Sequence, residues 1–301
     1  MRLAVVGSYG AGLTMRVPRM PEAGETLPGG VFAAGPGGKG SNQAIGAARL
    51  GAEVSFLTAL GPDAFAQEAR RLWEAEGVSA TVVEASAATM VGVILVEEGG
   101  ENRIVIAPGA LDELRPEHVA AFAPRIAAAD LVLVCNEIPR DVVSATLRTA
   151  RAHGVRTLLN PAPARELPAE DRPLVDFLTP NLGEARVLTG QTGSDPGELL
   201  DALRAAFPAT TIILTCGSAG AYVDDGAERF HVGPVPPARV VDTTGAGDAF
   251  TAALAVSIDR PLREAVRFAA AGGAHAVSQH EAIPGLGRIA DLEALLKGED
   301  S

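Results

Sequence analysis

Residues 131–159, LVLVCNEIPRDVVSATLRTARAHGVRTLL, decide the class of fold. Leu131–Val134 is an unbroken apolar run, which is how a strand covered on both faces reads. Val142–Ala152 then places apolar residues three and four apart, a helical spacing, and Val155–Leu159 returns to a strand. Strand, helix and strand in succession make a parallel crossover unit. The pattern recurs in both directions: Leu3–Val6 before Asn42–Leu50, Val54–Leu60 before Phe65–Glu76, Phe177–Thr179 before Glu184–Thr189, and then Ile212–Thr215. Two helical patterns rich in Ala and Gly, Ala246–Ser257 and Leu262–Ser278, follow. The expected fold is α/β, a doubly wound, mostly parallel sheet with helices on both faces.

Two segments break this rhythm. Residues 13–34 alternate apolar and polar positions between Pro and Gly. Residues 89–106 read as a hairpin, Met90–Val96 and Arg103–Ile106 around the turn Glu97–Asn102. Meeting in space, they would form a small β-sheet lid over approximately 11–36 and 89–107, hinged at Gly10–Gly12 and Gly35–Gly38. The alternative is that they extend the central sheet.

With 301 residues, 47% of them hydrophobic and only 4% aromatic, the chain can bury a large core, and disorder is excluded. A formal net charge of −12 repels phosphate backbones and anionic lipid, so neither nucleic acid nor membrane is an expected partner. Cys135 and Cys216 are the only cysteines, each in an apolar run without C-x-x-C spacing, which fits a reducing cytoplasm. Met1 leads directly into the strand LAVVG, unlike a secretion signal, and no apolar run has spanning length. The five histidines show no metal spacing.

An acidic protein that handles anions must concentrate positive potential locally. Asp242-Thr243-Thr244-Gly245-Ala246-Gly247-Asp248 follows the strand-like Arg239–Val241 and opens the helix from Ala246. Its small residues leave the first-turn N–H groups of Ala246, Gly247 and Asp248 unpaired and able to hold an anion. Asp248 adds a base at that anion hole. The pair suits phosphoryl transfer to a hydroxyl, although an Asp that only caps the helix predicts the same residues.

The full stretch DTTGAGDAF resembles the C-terminal signature of the ribokinase-like (PfkB) carbohydrate kinases. Gly37-Gly38-Lys39-Gly40-Ser41-Asn42-Gln43-Ala44 looks like their N-terminal signature, and NPAPARELP at 160–168 and TPNLGEA at 179–185 are similar to the ribokinase branch. The resemblance implies an ATP-dependent kinase of a sugar hydroxyl, ribose or a related pentose, with Mg²⁺ and with K⁺ as a further cation. It implies Asp248 as general base and Gly245, Ala246 and Gly247 as the anion hole. Gly38, Lys39, Asn42 and Glu137 would hold the sugar. Asn181, Thr215, Gly217, Ser218, Gly220, Gly247 and Ala270 would hold the nucleotide, and Glu184 would order the waters of Mg²⁺. Asp242, Thr244, Glu281 and Gly285 match a potassium site, where the family typically has Gly in place of Glu281 and Ser in place of Gly285. Pairing of two lids into a homodimer is also implied.

For Asn181-x-x-Glu184 the capping box predicts the same residues, and both roles can hold together. Without the resemblance, Thr215–Gly220 is a turn between strands, and Glu137 is a first-turn acid. The family's Asn and Asp after the first strand are replaced by Gly10 and Gly12. Charge-assisted hydrogen bonds of about 1.5–3 kcal/mol each are thereby lost, and the pocket is expected to be roomier. A hexose, polyol or nucleoside acceptor is therefore the alternative, with Tyr9 available to stack. A sugar- or nucleotide-binding protein without catalysis is more remote, and Gly7–Gly12 lacks the G-x-G-x-x-G order of a dinucleotide fold.

Overall fold

The computed structural model describes residues 1–99 and 101–298; Gly100 of the expected hairpin turn lies outside the described residues. In chain order the strands are β1 (Arg2–Val6), β2 (Gly10–Val17), β3 (Val31–Gly37), β4 (Glu53–Leu60), β5 (Ser79–Glu84), β6 (Met90–Glu97), β7 (Asn102–Ala107), β8 (Leu131–Cys135), β9 (Arg156–Asn160), β10 (Phe177–Leu178), β11 (Thr211–Thr215), β12 (Ala221–Asp224) and β13 (Arg229–Val232). The helices are α1 (Lys39–Arg49), α2 (Ala64–Ala75), α3 (Pro116–Ala128), α4 (Arg140–Ala152), α5 (Leu182–Thr189), α6 (Pro196–Ala206), α7 (Ala246–Ser257), α8 (Leu262–Ala276), α9 (Ala282–Gly285) and α10 (Ile289–Gly298).

Nine strands form the central sheet in the order β13-β12-β11-β10-β9-β8-β1-β4-β5. All neighbours are parallel except at β12, which runs antiparallel to both β11 and β13. Side-chain alternation splits the core in two. Leu3, Val5, Phe56, Leu131 and Leu133 face α1, α2, α7 and α8, where Ile45, Trp73, Leu254 and Phe268 meet them. Ala4, Val6, Leu57, Val132 and Val134 face α3 to α6, against Phe122, Leu147, Leu188 and Leu203. This two-sided burial is why the strands carry no polar alternation. The small residues of α7 and α8 serve close packing: a Cβ on Gly272 would come within 2.9 Å of the Ala249 carbonyl. No helix of the described residues is long and apolar enough to cross a membrane.

The two interrupting segments form a separate four-stranded sheet, β3-β2-β6-β7, and do not extend the central one. β2 pairs antiparallel with β3 and parallel with β6, and β6 turns back into β7. Two expectations need correction. Arg239–Val241 is not a strand, because the N–H of Val241 bonds to the Val277 carbonyl at the end of α8 and has no strand edge beside it. Cys216 lies one residue past β11 and is half-buried, whereas Cys135 is buried in β8; both are free thiols.

Candidate active site

Several of the predicted residues lie at the carboxyl ends of the central strands, where open α/β sheets bind their ligands. Ser8 follows β1, Glu137 follows β8, Asn160 ends β9, Asn181 follows β10 and Thr215 ends β11. The amino ends of α1 and α7 bring Lys39, Asn42, Gln43 and Asp248 to the same place.

Asp248 is only 5% exposed. Its Oδ2 accepts a 2.8 Å hydrogen bond from Asn42 Nδ2, and its Oδ1 accepts a 3.0 Å bond from Gln43 Nε2. The same Gln43 amide donates to Asn160 Oδ1 at 3.0 Å, and Asn160 Nδ2 donates to the Thr179 carbonyl at 3.3 Å. This chain ties the carboxylate to the ends of two central strands. Each oxygen keeps a lone pair for a further proton donor. Asn42 Oδ1 and Gln43 Oε1 are buried without a partner. For Asn42 this leaves an acceptor beside the carboxylate, where a ligand hydroxyl can satisfy it.

Gly245 begins α7 in the left-handed region, φ 79°, and a Cβ there would lie 2.9 Å from Ala282 Cα. Only glycine meets both conditions. The Ala246 N–H makes a long 3.3 Å bond to the Thr243 carbonyl. Those of Gly247 and Asp248 open the turn, where a helix has no carbonyl of its own to offer them.

The second half of the site rests on Glu137. Its Oε2 accepts from the Ser8 hydroxyl at 2.5 Å and from the Lys39 backbone N–H at 2.9 Å. The Asp248 charge raises the Lys39 ammonium above its usual range against the effect of burial, with Glu137 and Glu184 adding to it. Lys39 is thus held charged between three carboxylates, and it makes no direct ion pair with any of them among the described residues. Gly38 has φ 89°, and a Cβ there would lie 2.7 Å from Tyr9 Cα and 2.9 Å from Gly10 N, so α1 starts in close approach to the start of β2.

Asn181 and Glu184 form a full capping box: Glu184 N–H donates to Asn181 Oδ1 at 2.8 Å and Asn181 N–H to Glu184 Oε2 at 2.9 Å. Burial pushes the Glu184 carboxyl above its ordinary value; Asp248 acts in the same direction, and Asn181 and Lys39 oppose it. Asn181 bridges to Thr215 across the sheet. Gly217–Ala219 is one short turn, and Gly220, at φ 84°, sends the chain into β12. Ser218 lies in that turn, and Ala270 lies on α8. α8 passes the anion turn at Gly273, whose Cβ would meet the Ala246 carbonyl at 3.5 Å.

Asp242 ties its loop together. Its Oδ1 accepts from Thr244 N at 2.9 Å and Oγ1 at 2.7 Å, and its Oδ2 accepts from Glu281 N at 3.1 Å. Burial alone would raise its carboxyl, but these bonds and the charge of Arg16 hold it below the ordinary value. Glu281 has φ 65°, the one non-glycine residue in that region among the described residues. Gly285 is a packing residue, with Ala276 Cα 3.1 Å from its Cβ position. The described residues hold no group of three or more His, Cys, Asp or Glu placed to bind a metal. Glu184 supplies one carboxylate, and Mg²⁺ is usually held by one or two carboxylates together with the phosphates of its ligand.

Known proteins are similar to this chain in sequence and fold. A match to the pfkB family of carbohydrate kinases spans residues 2–287. The chain belongs to the PfkB family of carbohydrate kinases. It is 34% identical to a ribokinase of Lactococcus lactis, over 98% of this chain and 97% of that one. It is 36% identical to a deoxyribokinase of Salmonella typhimurium, over 90% and 92%. An Arabidopsis thaliana ribokinase complexed with ribose and ATP superposes with a TM-score of 0.89 at 30% identity, covering 98% of each chain. Like other PfkB kinases, the protein is an enzyme that phosphorylates a carbohydrate.

Several residues of this PfkB site had no role assigned from sequence. Gln43 and Asn160 stand inside the quoted motifs, and the signal was their polarity at positions that helix and strand patterns bury. Ser8 carries no such signal, because its role depends on Glu137, 129 residues away. Tyr9 is fully buried and packs edge-on against Trp73 at 5.3 Å, so it does not stack on a substrate. The extra room expected at Gly10 is also absent: Met90 Cε lies 2.3 Å from where its Cβ would be. Gly12 is open, with nothing nearer than 3.7 Å.

Proposed function

We propose that this kinase transfers the γ-phosphoryl group of ATP to a terminal hydroxyl of a sugar, ribose or a related pentose, with Asp248 as the base. The observation that carries this is the buried Asp248 carboxylate, fixed through Asn42 and Gln43 at the amino end of α7. The acceptor O–H gives its proton to Asp248 as its oxygen bonds to the γ-phosphorus. The bond from that phosphorus to the bridging oxygen breaks, and ADP departs with the electron pair. The N–H groups of Gly247 and Asp248 face the charge spread over the transferred oxygens, while that of Ala246 is taken by the Thr243 carbonyl. Lys39, Asn42 and Glu137 orient the sugar, with Gly38 giving α1 its close approach.

Asn181, Thr215, Gly217, Ser218, Gly220 and Ala270 border the nucleotide. Mg²⁺, when bound with ATP, neutralises phosphate charge, and Glu184 would order its waters. Asp242, Thr244 and Glu281 offer oxygen donors for K⁺ behind the anion turn, with Gly285 only packing nearby. The small sheet acts as a lid that excludes water during transfer.

A homodimer through the lids is part of the same proposal. Phe32, Val93 and Val105 stand 59%, 43% and 71% exposed on that sheet, an apolar surface that a second copy would cover. A turnover assay with ATP, Mg²⁺ and K⁺ against a sugar panel tests the activity. Binding of sugar and nucleotide with no ADP formed from any acceptor would overturn it.

A further inference from the structure

We propose that Arg140, Arg165 and Asn136 form a binding site for a short organic carboxylate, behind the strand end that carries Glu137.

β8 ends at Cys135, and the next two residues serve different sides of the sheet. Glu137 bonds to Ser8 and to the first N–H of α1. Asn136 lines a small cavity with Arg140 and Val143 of α4 and with Arg165, Leu167 and Pro168 of the segment after β9. Val143 and Leu167 belong to the core half that α3 to α6 cover, whereas Ile45 of α1 belongs to the other. The cavity is therefore separate from the acceptor site at Asp248. Arg165 stands in the 160–168 stretch, and neither sugar nor nucleotide has called on it.

The groups around the cavity lack a partner that an anion would supply. Asn136 is only 4% exposed, yet its side chain makes no hydrogen bond among the described residues. A buried amide in that state is completed by water or by a ligand. Arg140 and Arg165 share the cavity, and neither has an ion pair among the described residues. Arg165 donates to the Ile138 carbonyl and keeps its other N–H groups. Burial and then the like charge of Arg140 lower its guanidinium from the ordinary value, and Cys135 alone opposes them. The nearby acids are engaged elsewhere: Glu166 lies 3.6 Å from Arg172, and Asp141 accepts the Val142 N–H at 2.9 Å. α4 begins here with no side-chain cap from Pro139, so its positive end adds to the same field.

Shape selects among anions. The cavity volume is about 10 Å³, room for about one water-sized group. A carboxylate can place an oxygen there with its flat edge on a guanidinium, while Val143, Leu167 and Pro168 receive its carbon chain. Phosphate has no apolar part to offer those walls. Occupancy also reaches the acceptor, because Asn136 and Ile138 flank Glu137 and Arg165 holds the Ile138 carbonyl. This last step rests on the reading of Glu137 as a sugar-orienting residue.

Saturation-transfer NMR with sodium propionate, in a chloride background of constant ionic strength, reads the site directly. Propionate is expected to bind the wild type, and Arg140→Gln is expected to weaken it at least tenfold. Arg140 is exposed at the start of α4, so the variant should keep its fold, which an unchanged Tm without ligand checks. Asn136→Leu removes the unpartnered amide and should also lower affinity. No binding up to about 50 mM, or equal binding in Arg140→Gln, would overturn the proposal. Inorganic phosphate binding more tightly than propionate would overturn the carboxylate assignment. In turnover, propionate should lower the acceptor KM at least twofold in the wild type and leave it unchanged in Arg140→Gln. An acceptor KM indifferent to bound propionate would refute the link to Glu137. If no sugar is turned over, the proposed function has failed, and the NMR titration still decides the site.

Discussion

Gly40 sits where two requirements compete, and Gly40→Ala separates them. It is the second residue of α1, and alanine in a helix is preferred over glycine by about 1 kcal/mol. A Cβ at this position would lie 2.5 Å from Ser8 N, 2.6 Å from Gly7 C and 2.7 Å from Gly7 Cα. All three are backbone atoms that cannot rotate aside. To restore 3.4 Å, the start of α1 must retreat about 0.7–0.9 Å. Overpacking of this kind costs about 1–3 kcal/mol, and here the upper half applies, so the clash outweighs helix propensity. A net loss of about 1–2 kcal/mol lowers Tm by about 2–6 °C. The retreat also carries Lys39 and Asn42 away from Asp248, and a displacement near 1 Å costs about 10²-fold in rate. Scanning calorimetry and a coupled ADP assay are expected to show both losses. A Tm unchanged or raised, with kcat retained, would refute the close-approach argument.

Ser8→Ala removes the hydroxyl that donates to Glu137 and leaves that carboxylate with the Lys39 N–H alone; kcat/KM for the acceptor should fall by about 1.5–3 kcal/mol of binding, measured by initial rates at saturating ATP. Glu184→Gln preserves the capping box, so Tm should change little, while the Mg²⁺ concentration for half-maximal activity rises; a large Tm loss with unchanged Mg²⁺ dependence would assign Glu184 to capping alone. Because the folded-state pKa of Asp242 is depressed, its stabilisation is present above 3.8 and is lost as pH falls through the folded value. The Tm gap between wild type and Asp242→Asn should therefore be widest near neutrality and narrow below pH 3.8.

The local part of the fold was readable because local patterns determine it. Continuous apolar strands and helical spacing fix an α/β layer wherever both faces are covered, and Asp242–Asp248 marks its helix start by composition. Long-range pairings were less accessible. The interrupting texture of 13–34 and 89–106 pointed to a separate small sheet, but β2 and β6 are parallel partners about eighty residues apart, and no local pattern specifies that pairing. The strand expected at Arg239–Val241 fails because its amide partner is a helix end. At the site, Asp248, Asn42 and Lys39 lie in motifs, whereas Ser8 with Glu137 and Gln43 with Asn160 meet only after folding. Met90 shows the same limit, since its filling of the space at Gly10 depends on strand register.

The central claim is most directly measured by kcat of Asp248→Asn. The exchange turns one acceptor into a donor, and Asn42 can meet it by presenting its unpartnered Oδ1, so the fold should survive with little change in Tm. With the base gone, kcat should fall by about 10² to 10⁴, while ATP binding by calorimetry stays near the wild-type value. A folded variant that retains kcat within a factor of three would contradict Asp248 as the acceptor of the proton.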